Sequence, residues 1–286
     1  MTHEPLPASR RGTSVRDALD GAVTAIAAAG CETPRLDSEL LLAQALGVSR
    51  ERLLIDRDLS VSGAAVRTFQ DFVRRRSVAR EPVAYILARR HFRNLELELD
   101  SRALIPRPET ELLVEVALRT STGARVLDVG TGSGAVALAL KDERPDLRVC
   151  ASDLSVGALE LARANGARLG LDVCWLHADL LVGVPDELDV VLSNPPYVRD
   201  GERATLAPEI VRHEPAAALF GGPDGLDVIR SLVGQAGERA SVRTLALEIG
   251  AGQARAVCEL MRAAGFTTVR AELDLARIER VVVGER

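Results

Sequence analysis

The run Val126, Leu127, Asp128, Val129, Gly130, Thr131, Gly132, Ser133, Gly134 constrains this chain more than any other segment. It reads as a buried strand that breaks into a glycine loop and then opens a helix. Glycines there let the backbone come close to a ligand, and the free N–H groups of a helix start can hold an anionic group. Asp153 follows nineteen residues after Gly134, at the end of the next apolar run. A carboxylate in that place can accept both hydroxyls of a ribose. Loop and carboxylate together predict a nucleoside site. The loop does not say which nucleoside: Gly130, Gly132 and Ala135 also satisfy the relaxed dinucleotide fingerprint, so NAD stays open at this point.

The surrounding pattern sets the fold class. Beyond Thr122, apolar runs alternate with amphipathic helical stretches. Strands are predicted over residues 125–129, 147–152, 173–177, 190–193, 244–248, 267–272 and 279–283. Strand, helix, strand repeated at this spacing predicts an α/β fold with a mainly parallel sheet covered on both faces. Only residues 273–278 separate the last two strands, which predicts an antiparallel hairpin at the sheet edge.

Residues 13 to about 80 carry helical periodicity instead. One helix is expected from a Thr13 or Ser14 cap to Ala29, ended by Gly30, and a second from an Asp37 cap to Leu46, closing at Gly47. A third is expected over residues 60–76. Leu95, Leu97 and Leu99 alternate with Glu96, Glu98 and Asp100, the period of a half-buried strand. The expected domains are therefore a helical one over 1–80, a hairpin linker over 81–104, and the α/β domain over 105–286. Pro108 suits the first turn of a helix running from about Glu109 to Leu118.

Composition narrows the function classes. The net charge is −5 and the chain has eight aromatic residues, five Phe, two Tyr and one Trp, so neither a bulk nucleic-acid binder nor a base-stacking platform is expected. The first 80 residues, with 12 Arg against 10 acidic residues, are the more basic part. Local excess gathers in Arg74, Arg75, Arg76, Arg80, Arg89, Arg90 and Arg93, either a solvated helix end and linker or a contact surface for an RNA-bearing or acidic partner. Cys31, Cys150, Cys174 and Cys258 show no metal or redox spacing, and His91, His177 and His213 suggest neither metal site nor triad, so no metal is expected. Arg10 and Arg11 precede an Ala-rich run, but Arg16, Asp17 and Asp20 interrupt it and no stretch of about 18 apolar residues follows. A cytoplasmic protein without membrane contact is expected.

The strand at 190–193 runs into Asn194, Pro195, Pro196, Tyr197. In an open α/β sheet the carboxyl ends of the strands form the ligand crevice, so this tetrapeptide is expected to face the glycine loop. Its chemistry suits methylation of a planar nitrogen, whose lone pair is delocalised and unreactive. Two carbonyl acceptors holding both N–H hydrogens favour a geometry with the lone pair aimed at an incoming methyl. The Asn194 side chain and the Pro195 carbonyl can be those acceptors, Pro196 restricts Pro195, and Tyr197 offers a flat face for the target.

With these residues the chain resembles the amino-methyltransferases that use S-adenosylmethionine, a group that includes DNA and ribosomal RNA enzymes. Further segments narrow it: Glu81 to Ile86; Leu104 to Glu111; His213, Glu214 and Pro215 with Leu219; and Leu247 to Gln253. They resemble the protein-glutamine methyltransferases of bacterial peptide release factors, the PrmC/HemK family, from about residue 15 to the end. The resemblance implies a Rossmann-like S-adenosylmethionine-dependent methyltransferase sheet and a helical domain that helps grip the release factor. It implies transfer to the glutamine N5 of the release factor's Gly-Gly-Gln loop, with no direct nucleic-acid substrate. Carried over, Gly130, Thr131, Gly132, Ser133, Gly134 and Asp153 would bind S-adenosylmethionine, with Asp179 and Leu180 beside the adenine and Asn194 close by. Asn194, Pro195, Pro196 and Tyr197 would hold the glutamine, the first two as the catalytic pair. The family often has Trp where Leu180 stands and usually Gly at the positions of Ala88 and Arg277. Alternatives at this level are a ribosomal-protein glutamine, a nucleic-acid nitrogen, or a noncatalytic adaptor. Glu109, Glu111 and Glu248 are secondary candidates, as cofactor lid or structural groups.

Overall fold

The computed structural model describes residues 13–56 and 59–286, so Arg10 and Arg11 lie outside the described residues. The chain forms two compact units that divide between Leu87 and Ala88.

The first unit is helical. A two-residue strand β1 (Thr13–Ser14) leads into α1 (Val15–Ala28), followed by α2 (Pro34–Leu46), α3 (Arg50–Ile55), β2 (Ser60–Val61), α4 (Gly63–Ser77) and a short α5 (Val83–Ile86). Ser14 caps α1 through its side chain, which accepts from the Asp17 N–H, and Gly47 closes α2 in the left-handed conformation. The start of α2 differs from expectation. Thr33 is the capping position and Pro34 opens the helix, while Asp37 lies inside it, buried and paired with Arg76 at 2.6 Å. The first two residues expected in the third helix pair instead as β2 with β1, and α3 was not anticipated. Val15, Ile26, Leu41, Leu42, Leu53 and Phe69 form the core.

The basic cluster is mostly neutralised internally. Arg74 pairs with Asp71, Arg75 with Glu81 and Arg76 with Asp37 in the first unit; in the second, Arg89 pairs with Glu96, and Arg93 with Glu115 and Glu143. Sequence spacing reveals the density of cations but not these partners.

In the second unit an antiparallel pair β3 (Arg89–Phe92) and β4 (Leu95–Glu98) precedes α6 (Glu111–Leu118). Phe92, Leu95 and Leu97 join the core of this unit, so the stretch expected to be one linker is divided: Val83 and Ile86 pack with the helical core and the hairpin with the sheet. The alternation then proceeds as β5 (Arg125–Val129), α7 (Ala135–Glu143), β6 (Arg148–Asp153), α8 (Val156–Leu169), β7 (Cys174–His177), β8 (Val190–Ser193), α9 (Pro208–His213), α10 (Asp227–Gly237), β9 (Thr244–Glu248), α11 (Ala254–Ala263), β10 (Thr268–Leu273) and β11 (Glu279–Glu285). Seven strands form one sheet in the order β10-β11-β9-β8-β5-β6-β7. β9 through β7 are parallel; β11 runs antiparallel to both β9 and β10, with β10 at the edge. Alternate residues of the central strands feed opposite layers. Val126, Val190 and Leu192 pack with α6 and α7, while Leu127, Val129 and Val191 pack with α10 and α11.

The strand order reverses between β5 and β8. The crossover after β5 leads to β6 on one side and the crossover after β8 leads to β9 on the other, opening a crevice beyond the carboxyl ends of these two strands. The glycine loop leaves β5 there, and Asn194 leaves β8.

Candidate active site

A cavity of about 600 Å³ occupies this crevice, within the range of small-molecule and cofactor sites. Its floor is the loop after β5: Gly130, Thr131, Gly132 and Ser133 line it. Gly130 and Gly132 adopt φ of 71° and 57°, which only glycine enters without strain. Asp153, at the end of β6, lines the same cavity and is held on both oxygens: Oδ2 accepts the Gly132 N–H at 2.9 Å and Oδ1 the Ser155 N–H at 2.8 Å. A carboxylate so fixed keeps lone pairs for further donors. Asp179 and Leu180 form another wall.

Asn194, Pro195 and Pro196 line the opposite side, so the two halves expected to meet do so. Two of the expected site residues do not face the cavity. Gly134 lies behind the loop at the start of α7 with φ 86°, and an added Cβ would sit 3.0 Å from Leu138 and 3.3 Å from Ala162 and Trp175. Its glycine is required for close helix–strand packing. Tyr197 turns inward, where its hydroxyl donates to Glu248 Oε1 at 3.1 Å. Burial among apolar side chains and the neighbouring carboxylate push its phenol pKa up. Its ring is only partly buried, packed against the core beneath α10 and α11, and does not line this cavity.

The tip of β8 is clamped from outside the motif. The Tyr197 carbonyl accepts from Gln253 Nε2 at 3.0 Å, and Gln253 Oε1 accepts the Gly250 N–H at 2.8 Å. A Cβ on Gly221 would lie 2.4 Å from the Pro196 carbonyl oxygen, and one on Gly225 2.2 Å from that of Tyr197. Sequence reading missed both glycines; the pair Gly221–Gly222 for the first, and the Pro223-Asp224-Gly225 turn signature for the second, were the available signals. The rim segment 104–107 is tied down by the buried Glu214, which accepts the Ile105 N–H at 3.2 Å and pairs with Arg107 at 2.5 Å.

Two buried carboxyls stand near the cavity. Burial raises the Asp128 pKa to about 6, although the Thr131 hydroxyl donates to it at 2.6 Å. Burial likewise raises Glu248 to about 7, opposed by hydrogen bonds from Thr110 and Tyr197. Both shifts depend on enclosure that a sequence does not display. Leu180, Ala88 and Arg277 share left-handed backbone, with φ of 53°, 54° and 64°, so the family's glycine at the last two positions has a conformational reason.

Residues 17–87 match the model of the PrmC N-terminal domain and residues 108–223 that of the methyltransferase small domain. A release factor glutamine methyltransferase of Deinococcus radiodurans is 40% identical over 278 residues, covering 95% of this chain and 98% of the relative. One from Mycolicibacterium smegmatis is 40% identical over 281 residues, covering 96% and 98%. Among solved structures, a methyltransferase from Pyrococcus furiosus superimposes with a TM-score of 0.53 at 18% identity, covering 67% of this chain and 89% of that one. A human METTL16 catalytic domain superimposes with a TM-score of 0.53 at 15% identity, covering 78% and 81%. These structural likenesses extend to the fold, a Rossmann-like methyltransferase sheet. With cover of this extent at 40% identity, the chain belongs to the release factor glutamine methyltransferases.

Proposed function

We propose that this protein transfers a methyl group from S-adenosylmethionine to the N5 amide nitrogen of the glutamine in the Gly-Gly-Gln loop of bacterial peptide chain release factors. The observation that carries the reading is the meeting of Asn194 to Pro196 with the glycine loop and Asp153 around one cavity. The donor set fits the cofactor. Asp153, immobilised by two backbone N–H groups, suits a ribose diol, the Gly130 to Ser133 backbone permits close approach, and Asp179 with Leu180 would border the adenine. When bound, S-adenosylmethionine supplies a methyl carbon made electrophilic by its sulfonium.

The chain's own residues supply position. Asn194 Nδ2 donates to Thr110 Oγ1 at 3.1 Å, which leaves Oδ1 as the free acceptor of that side chain. With the Pro195 carbonyl it would hold both hydrogens of the substrate NH₂, aiming the nitrogen lone pair at the methyl. Orientation of this kind replaces a nucleophile or base as the main source of rate. The helical unit would contact the release factor, and the second unit, with the β3–β4 hairpin packed in its core, would carry out the transfer.

The reaction would take place in the cytoplasm, and a protein substrate rather than nucleic acid is favoured by the net charge of −5. No helix among the described residues is long and apolar enough to cross a membrane. Labelled cofactor incubated with release factor, ribosomes and DNA should mark the release factor, and mass spectrometry should find one methyl on its Gly-Gly-Gln peptide. Asn194→Ala should cut turnover by roughly 10²–10³, the cost of losing one preorganised polar contact, with cofactor affinity nearly kept. Label on ribosomes or DNA alone would overturn the substrate, and normal turnover by the variant would overturn the role of Asn194.

A further inference from the structure

A hydrogen-bonded chain runs from the tip of β8 into the interior. Asn194 Nδ2 donates to Thr110 Oγ1 at 3.1 Å, the Thr110 hydroxyl donates to Glu248 Oε2 at 2.6 Å, and the Tyr197 hydroxyl donates to Glu248 Oε1 at 3.1 Å. Thr110 is 5% exposed and Glu248 1%. A hydroxyl has one proton. With that proton committed to the carboxylate, Thr110 can only accept from Asn194, and therefore selects the NH₂ end of the amide. Were the proton free, Thr110 could donate to Asn194 Oδ1 instead. The amide would then turn its NH₂ to the cavity, a donor where a substrate NH₂ needs an acceptor.

We propose that Thr110 and Glu248 are positioning residues that fix the polarity of the Asn194 carboxamide, so that its oxygen alone meets the substrate amide. The catalytic consequence rests on the methyl-transfer reading above; the orientation itself is a property of the free protein. The ionised form of Glu248 is the one that accepts both hydroxyl protons. Its charged surroundings are Glu109 before α6, which disfavours ionisation, and Arg280 on β11, which favours it; burial outweighs both and sets the midpoint at about 7. Protonation gives the carboxyl a donor of its own and releases Thr110 to turn.

Thr110→Val removes the link, Thr110→Ser keeps it, and Glu248→Gln preserves shape but lets an NH₂ face Thr110. Methylation of release factor by the full chain should fall roughly 10²-fold in kcat in Thr110→Val, with little change in the KM for S-adenosylmethionine, and recover in Thr110→Ser. Wild-type kcat should decline as pH falls through about 7, and Glu248→Gln should lack that limb. A second readout needs no turnover. In the cofactor-free protein the Asn194 side-chain NH₂ signal, assigned by its loss in Asn194→Ala, should be protected from hydrogen exchange in the wild type and Thr110→Ser. It should exchange readily in Thr110→Val. Should Thr110→Val fold poorly, the isosteric Glu248→Gln carries the same comparison. Unaltered protection and kcat in Thr110→Val, or an unaltered acid limb in Glu248→Gln, would overturn the proposal. A wild type that leaves release factor unmethylated would instead overturn the substrate, while the exchange data still decide the orientation.

Discussion

Gly134 separates a packing role from a binding role within one loop. Replacing it with Ala forces a left-handed alanine at φ 86°, which costs about 1–2 kcal/mol. The new Cβ would also stand 3.0 Å from Leu138, 3.3 Å from Ala162 and 3.3 Å from the Trp175 ring, contacts fixed by α7, α8 and β7. Overpacking of this kind adds about 1–3 kcal/mol. The expected loss is therefore about 2–5 kcal/mol. Gly170, at the end of α8, isolates the first part, because it has φ 68° and nothing within 4 Å of an added Cβ. Gly170→Ala should lose about 1–2 kcal/mol. The single tryptophan lies in the second unit against Gly134, so urea unfolding followed by its fluorescence reports the relevant part of the molecule. Folded Gly134→Ala should still bind S-adenosylmethionine. If it is no less stable than Gly170→Ala, or if it loses the cofactor while keeping its stability, the reasoning fails.

Asp153→Ala should weaken S-adenosylmethionine binding roughly 10–100-fold by calorimetry, the worth of one or two hydrogen bonds to a charged group; unchanged affinity would remove the ribose contact. The Asp128 carboxyl ionises near 3.8 when unfolded and about 6 when folded, so wild-type stability drops by about 3 kcal/mol as pH rises across that window. Asp128→Asn, which still accepts from Thr131, should therefore gain over the wild type by that order above pH 6 and little below pH 4, as urea midpoints will tell; a gap independent of pH would contradict this. Ala88→Gly and Arg277→Gly should each raise stability by about 1 kcal/mol, because glycine enters their backbone conformation freely. A loss at either site in chemical denaturation would show that side-chain contacts outweigh strain there.

Local pattern carried much of this protein. β5, β8 and β9 have the expected bounds, because a buried parallel strand is a short apolar run bounded by polar or glycine residues. The order of chemistry along the chain was legible too: glycine loop, Asp153, then Asn194 to Pro196. Residues whose role depends on a distant partner were not. Arg76 reads as one cation in a basic run, yet Asp37, 39 residues away, makes it a buried ion pair. Tyr197 reads as a substrate platform by its place in the motif alone, and its hydroxyl bond to Glu248, 51 residues away, is invisible there. Thr110 and Glu248, 138 residues apart, form a bond that no spacing rule anticipates. Periodicity and turn chemistry act over a few residues and are written in the sequence. The direction of a side chain at a strand end, and the pKa of a buried carboxyl, are fixed by neighbours that only the folded sheet brings within reach.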